Sequence, residues 1–230
     1  DGRGQSPNDA FIVPAGARLR VGTRRIGARG YLAVAGGFAV PEVLGSRSTH
    51  LVGRLGGLEG RALTGGDSLP LGAPGGPRPR RSGEVELPES GRATRIRVLP
   101  GPHLDRFSPD ALSRLQSSPY TLDNESDRMG FRLKGPRLTH ANGADIISDA
   151  TPLGVLQVPA SGQPVLLMAD RQTTGGYAIL ASVITADIGL AGQLAPGDQI
   201  QFEACTLQNA IAALIARERA LMAVETGGPA

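Results

Sequence analysis

Eight consecutive residues hold most of the reactive chemistry in this chain: Asp170, Arg171, Gln172, Thr173, Thr174, Gly175, Gly176 and Tyr177. They supply a carboxylate, a guanidinium, a carboxamide, two hydroxyls and a phenol, with two glycines among them. Such a set can hold an anion, orient a polar substrate or activate a water, and the glycines let a ligand approach the backbone. The competing reading is a polar loop that satisfies only itself, because Asp and Thr side chains often bond their own backbone. A second polar cluster, Gly45-Ser46-Arg47-Ser48-Thr49-His50, has the hydroxyls, backbone N–H groups and guanidinium that suit an oxyanion. Its alternative is a solvated loop leading into a short helix capped by Ser48 or Thr49.

The elements that must position the first cluster lie just before it. Val155 to Val158 reads as a strand, Pro159 to Pro164 as a turn, and Val165 to Met168 as a second apolar run that delivers the chain to Asp170. Two short apolar runs about a Gly-containing turn predict a β-hairpin. Arg95-Ile96-Arg97-Val98-Leu99-Pro100 alternates as a half-buried strand does, Tyr120–Leu122, Phe131–Leu133, Ile179–Ile184 and Gln199–Phe202 are further strand candidates, and Ile146–Ser148 leads back to the hairpin. An Asp127-Arg128 pair between two of them is either a salt-bridged turn or part of a site. Ser108-Pro109-Asp110 reads as a helix start with Ser108 as cap, and Thr206 to Met222 as a helix capped by Thr206, with a frayed tail from Glu225.

Earlier in the chain, Phe11–Val13, Arg18–Val21, Tyr31–Ala35, Phe38–Val40 and Ser68–Leu71 predict strands. Gly53 to Gly66 is too rich in glycine for a helix and lacks the Lys of a P-loop. Gly66-Asp67 and Gly197-Asp198 each lead from a turn into a short alternating run, a weak internal echo. The 33 Gly and 18 Pro are spread between short apolar runs, which argues for a mainly β chain of many strands and turns. The Pro-, Gly- and charge-rich stretch after residue 76 predicts a linker over 77–92, between a first domain at 1–76 and a second at 93–230.

Charge is uneven: residues 1–92 carry 13 Arg against 8 acidic residues, whereas 93–230 carry 10 Arg and one Lys against 13. The arginines are scattered and not interleaved with aromatics, so nucleic-acid binding is not expected. The lone Cys205 excludes an internal disulfide and a multi-Cys metal site, and its apolar surroundings predict a buried side chain. His103 and His140 have no carboxylate or second His at ligand spacing and are read as surface or hydrogen-bonding residues, so no metal site is expected. No apolar run approaches the ~20 residues of a membrane span. The first ten residues do not read as a signal peptide, and a soluble, cytoplasmic protein is expected.

The strings RGYLAVAGGFAVPEVLGSRSTH, GGLEGRALTGGDSLPLG, ESDRMGFRL, GVLQVPASGQPVLLMADRQTTGGYAILASVITADI and QLAPGDQIQF, in that order, resemble the KipA family. This family is also described as the C-type subunit of 5-oxoprolinase, as allophanate hydrolase subunit 2, or as carboxyltransferase subdomains A and B. The resemblance covers nearly all of residues 16–215. It implies tandem cyclophilin-like β-barrel domains with a few short helices. A Q-D-x-G-R string that opens the family's first strands has no counterpart, so the first domain is expected without its N-terminal part.

The implied activity is that of a subunit in an ATP-dependent 5-oxoprolinase complex, which opens 5-oxoproline to glutamate. The implied partners are a KipI-like subunit (the B-type subunit of 5-oxoprolinase) and possibly a third subunit. ATP, with Mg, is expected at the level of the complex, and no covalent cofactor is expected. The expected route is phosphorylation of the lactam oxygen followed by attack of water. Within it, Asp170 is read as the carboxylate for a metal-bound or activated water, with Arg171 and Gln172 beside it. Arg47 and Arg171 would hold anions. Ser48, Thr173, Thr174, Gly175, Gly176 and Tyr177 would bind substrate. Two alternatives are a carboxyltransferase subunit of the allophanate hydrolase or urea carboxylase type, and a regulatory protein that antagonises an inhibitor of a kinase.

Overall fold

The computed structural model describes residues 4–6, 9–74, 87–88 and 91–226. Most of the linker expected over 77–92 lies outside these residues. The chain divides into two compact units, residues 1–29 together with 81–230, and residues 30–80.

The larger unit contains a closed barrel. Its elements are β1 (Thr94–Pro100), α1 (Ala111–Ser117), β2 (Tyr120–Leu122), β3 (Gly130–Lys134), β4 (Asp145–Ala150), β5 (Val155–Gln157), β6 (Val165–Leu167), β7 (Thr174–Tyr177), β8 (Ile179–Val183), α2 (Ile188–Ala191), β9 (Gln199–Ala204) and α3 (Leu207–Thr226). Seven strands close in the order β1-β8-β5-β6-β3-β2-β9. The seam is a parallel pairing of β1 with β9, in the register Ile96↔Phe202, and the other neighbours are antiparallel. Closure removes the free edges that an open sheet would expose.

Alternation decides which side chains fill the barrel. In β1, Thr94, Ile96 and Val98 are buried while Arg95 faces solvent, as the sequence pattern predicts. Ile96, Leu133, Leu156, Leu166, Leu180, Ile200 and Phe202 join one continuous core, with Ala111 and Leu115 of α1 packed into it. The predicted hairpin is present as β5 and β6, paired Leu156↔Leu166. A second, two-stranded sheet of β4 and β7 stands apart from the barrel ladder. Asp187, only 6% exposed, ties the barrel to the turn before α2. Its carboxylate accepts the Arg97 backbone N–H at 2.8 Å and two guanidinium N–H groups at 3.0 and 2.6 Å.

The helices depart slightly from the sequence reading. α1 begins at Ala111, so Ser108-Pro109-Asp110 forms the turn before it, and Asp110 braces the helix through Arg114 four residues on. α3 is capped as expected, the Asn209 N–H donating to Thr206 Oγ1 at 3.2 Å, but it continues through Glu225 to Thr226. Cys205 is half-buried, and desolvation pushes its thiol pKa up.

The strands expected at Phe11–Val13, Arg18–Val21, Tyr31–Ala35, Phe38–Val40 and Ser68–Leu71 are corrected. Among the described residues before Thr94, pairing stops at isolated bridges such as Phe38↔Leu71 and His50↔Leu55. A strand is held by its ladder and by a buried face, and these segments have neither. Ile12 and Tyr31 are 89% and 91% exposed, and Val40 is the one buried hydrophobic among the described residues of this stretch. Gly53–Gly66 is a series of turns, as its glycines predict.

Candidate functional site

The eight-residue cluster begins three residues after β6 and runs through β7, so a barrel strand fixes its start and the small sheet fixes its end. Two side chains brace the loop between them. Asp170 lies 42 residues from Arg128 in sequence, and the guanidinium grips its carboxylate with both arms, Nε to Oδ2 at 2.7 Å and Nη2 to Oδ1 at 2.8 Å. The Asp170 N–H also donates to the Arg128 carbonyl at 2.8 Å. On the other side, Arg171 Nε donates to the Thr151 carbonyl at 2.7 Å, the Thr151 N–H donates to the Thr173 carbonyl at 3.0 Å, and the Thr151 hydroxyl donates to the Gln172 carbonyl. The loop is thereby clipped to the β2–β3 turn and to the residues after β4.

Asp127 keeps that turn in shape, its Oδ1 accepting the backbone N–H groups of Met129 and Gly130 at 2.8 and 3.2 Å. The Asp127-Arg128 pair is therefore a turn former followed by a latch residue. This arrangement differs from the expected role of Asp170, because a bidentate guanidinium occupies the carboxylate that was to serve a water. Arg171 likewise commits its Nε to a backbone carbonyl. Among the described residues no three His, Cys, Asp or Glu side chains gather in metal-binding geometry. Holding a magnesium nucleotide at the Asp170–Arg171 pair would require Asp170 to release Arg128.

Beside this loop the barrel wall opens into a cleft of 620 Å³, and Gln172 and Tyr177 of the cluster line it together with Gln157 of β5. Asp170, Arg171, Thr173, Thr174, Gly175 and Gly176 are not among the lining residues. Thr174, Gly175 and Tyr177 pair with Ala150, Asp149 and Asp145 of β4. Arg47 and Ser48 belong to the 30–80 unit. There Arg47 Nε donates to the Val40 carbonyl at 3.1 Å and its guanidinium lies 3.6 Å from Glu42, while the Ser48 N–H donates to Ser46 Oγ at 3.1 Å. Their cluster folds as a loop without the short helix that Ser48 or Thr49 would cap.

The sequence reading missed Gln157, which is 3% exposed. Its Nε2 donates to the Tyr177 carbonyl and its Oε1 accepts from Gln172 Nε2, each at 3.4 Å. The signal was present, since a lone amide inside Val-Leu-Gln-Val is a polar group that a buried strand must satisfy. Gly175 makes room for it: a Cβ there would stand 2.6 Å from Gln157 Nε2 and 3.3 Å from Gln172 Nε2. The close approach of these side chains, and not a positive φ, is what the glycine serves.

The cleft is also lined by charged side chains. Asp123 pairs with Lys134 and Glu125 with Arg132, and Asp127 lies among the same lining residues. The Lys134 ammonium bonded to Asp123 holds that carboxyl below the usual carboxylate range, and the lysine pKa is raised in turn. His103 and His140 are hydrogen-bonding residues. His103 Nδ1 accepts the Ile179 N–H at 3.2 Å, and His140 Nε2 bonds the Val158 carbonyl at 2.9 Å.

A closed, mostly antiparallel barrel, with a cleft in its wall lined by carboxamides and charged side chains, defines a β-barrel domain. The model of the carboxyltransferase domain, subdomain A and B, matches residues 1–204, and the chain belongs to that family. It is 44% identical over 204 residues to the C-type subunit of 5-oxoprolinase from Escherichia coli, covering 87% of this chain and 64% of that protein. Against the corresponding 5-oxoprolinase subunit of Haemophilus influenzae the identity is 40% over 200 residues, covering 87% and 63%. The chain thus spans less than two thirds of the length of these curated relatives. The crystal structure of the K. lactis urea amidolyase superposes with a TM-score of 0.71 at 29% identity, over 81% of this chain and 12% of that one.

Proposed function

We propose that the chain works as a subunit of an ATP-dependent 5-oxoprolinase complex that opens 5-oxoproline to glutamate. The observation that carries this reading is the 44% identity to a 5-oxoprolinase subunit along 87% of the chain, a span that includes the whole cleft. The chemistry of the wall agrees with it. Carboxamides suit an uncharged amide better than a phosphate, and a substrate carboxylate would compete with Asp123 and Glu125 for the lining cations Lys134 and Arg132. The chain's part is to bind and orient the lactam. Asp170 and Arg171 act as positioning residues that hold Gln172 and Tyr177 at the cleft. ATP belongs to the reaction at the level of the complex, with its phosphates carried by the KipI-like partner or a third subunit.

The test is lactam-dependent ATP hydrolysis by the assembled subunits, with and without this chain. Hydrolysis that needs both 5-oxoproline and this chain supports the reading, and hydrolysis indifferent to either rejects it. The superposition on the urea amidolyase favours a second reading, a carboxyltransferase-type subunit acting on a urea derivative. Turnover with urea in place of 5-oxoproline would select it.

A further inference from the structure

We infer that Gln157 is the residue that recognises the lactam, pairing its carboxamide edge-to-edge with the cis-amide of the substrate. This inference rests on the proposed lactam-opening function. A carboxamide carries two N–H donors and a carbonyl with two lone pairs. Gln157 uses one donor and one acceptor position, both at 3.4 Å, the weak end of hydrogen bonding. It is nevertheless almost wholly buried, where an under-bonded amide is costly.

The same cleft holds a control. Gln163 donates to the Gly135 carbonyl at 3.0 Å and accepts the Gly135 N–H at 2.9 Å, so its amide is already closed on a backbone partner. Gln157 has no such partner and lines the cleft, with Gly175 packed beside its Nε2 and the Gln172 amide bonded to its oxygen.

The ligand that fits such an edge has a donor and an acceptor side by side. A five-membered lactam ring forces its N–H and C=O onto one side, which a trans peptide does not. Its N–H would donate to Gln157 Oε1 and its carbonyl would accept from Nε2, forming two antiparallel bonds. Gln172 Nε2, already on Oε1, would hold the Gln157 amide in that orientation. Esters, lactones and trans amides present only half of this pattern.

The experiment is a calorimetric titration of the assembled complex with 5-oxoproline and with the lactone of the same ring, which keeps the carbonyl and carboxylate but lacks the N–H. Wild-type complex should bind the lactam about tenfold or more tightly than the lactone, the scale of one lost hydrogen bond with its partner left unpaired. In Gln157→Met, which keeps the side-chain volume, the two should bind within about twofold of each other, because the loss falls on the lactam. Equal affinity of the wild type for both rings, no binding of either, or discrimination that survives Gln157→Met overturns the inference. The wild-type comparison needs no variant to fold. The outcomes also separate from those of the functional reading: lactam-dependent ATP hydrolysis with no lactam–lactone discrimination removes Gln157 and leaves the activity standing.

Discussion

The turns Thr64–Asp67 and Ala195–Asp198 are built alike, yet the segments they start have little in common. In each, a glycine with positive φ, Gly66 at 97° and Gly197 at 88°, precedes the aspartate. Each aspartate N–H donates back to the first residue of its turn, Asp67 to the Thr64 carbonyl at 3.2 Å and Asp198 to the Ala195 carbonyl at 3.0 Å. Each carboxylate accepts that residue's own N–H, at 2.7 and 2.9 Å, and each meets a guanidinium, Arg61 or Arg24. After Asp198 the chain becomes β9, paired on both sides and buried at Ile200 and Phe202. After Asp67 it makes one bridge at Leu71, whose side chain is 58% exposed. Turn chemistry sets the entry to a strand; a ladder and a buried face make the strand.

The sharpest break between the two regions is expected from deleting a side chain after each turn. Phe202→Ala should cost about 3–5 kcal/mol of unfolding free energy in a denaturant titration, because it empties the centre of the barrel. Leu71→Ala should stay within about 0.5 kcal/mol, as surface substitutions do. Equal losses would mean that the 30–80 unit hides a core of its own.

Next in size is the matched pair Gly66→Ala and Gly197→Ala. Neither added Cβ meets an atom within 4 Å, so the cost is the left-handed backbone alone, about 1–2 kcal/mol at either site. Gly197→Ala should lower the unfolding midpoint of the barrel, whereas Gly66→Ala should change only the amide exchange of its own turn. A barrel midpoint that also falls with Gly66→Ala would couple the two regions.

Arg128→Ala should have a smaller effect on stability, under about 1 kcal/mol, since the Asp170 pair is exposed. If the proposed lactam-opening activity holds, its consequence should be functional: KM for 5-oxoproline rises several-fold as the Gln172 loop loosens. A variant with unchanged KM would remove the latch from the account.

The smallest effect is one of pH. Hydrogen bonds from Arg61 and Thr64 hold the Asp67 carboxyl well below its ordinary range. A depressed carboxylate contributes its stabilisation above the unfolded-state value of about 4 and loses it only as pH falls through the lower folded value. The turn should therefore keep its exchange protection between pH 7 and 4 and lose it in stronger acid. Arg61→Ala should bring the Asp67 carbon-13 titration back toward the ordinary range. An unmoved titration would show that the guanidinium does not hold the charge.

How much of this was legible follows from the range of each signal. The β5–β6 hairpin, the alternation of β1 and the Thr206 cap are written in neighbouring residues, and all three are present. Gln172 and Tyr177 were legible as polar groups just beyond a strand end, and both reach the cleft. The grip of Arg128 on Asp170 joins positions 42 apart, which no local pattern encodes. Gln157 looked like one more strand residue, because its place in the cleft depends on Gly175 and Gln172, which lie 15 or more positions away and pack against its amide. The early apolar runs were overread: alternation describes a face, and only pairing and burial turn that face into a strand.

A crystal structure of the assembled complex with 5-oxoproline tests the central claim most directly. The account predicts the lactam ring in the barrel-wall cleft against Gln157, Gln172 and Tyr177, with its amide edge on the Gln157 carboxamide. A lactam bound wholly within a partner subunit, with this cleft filled only by solvent, would contradict it.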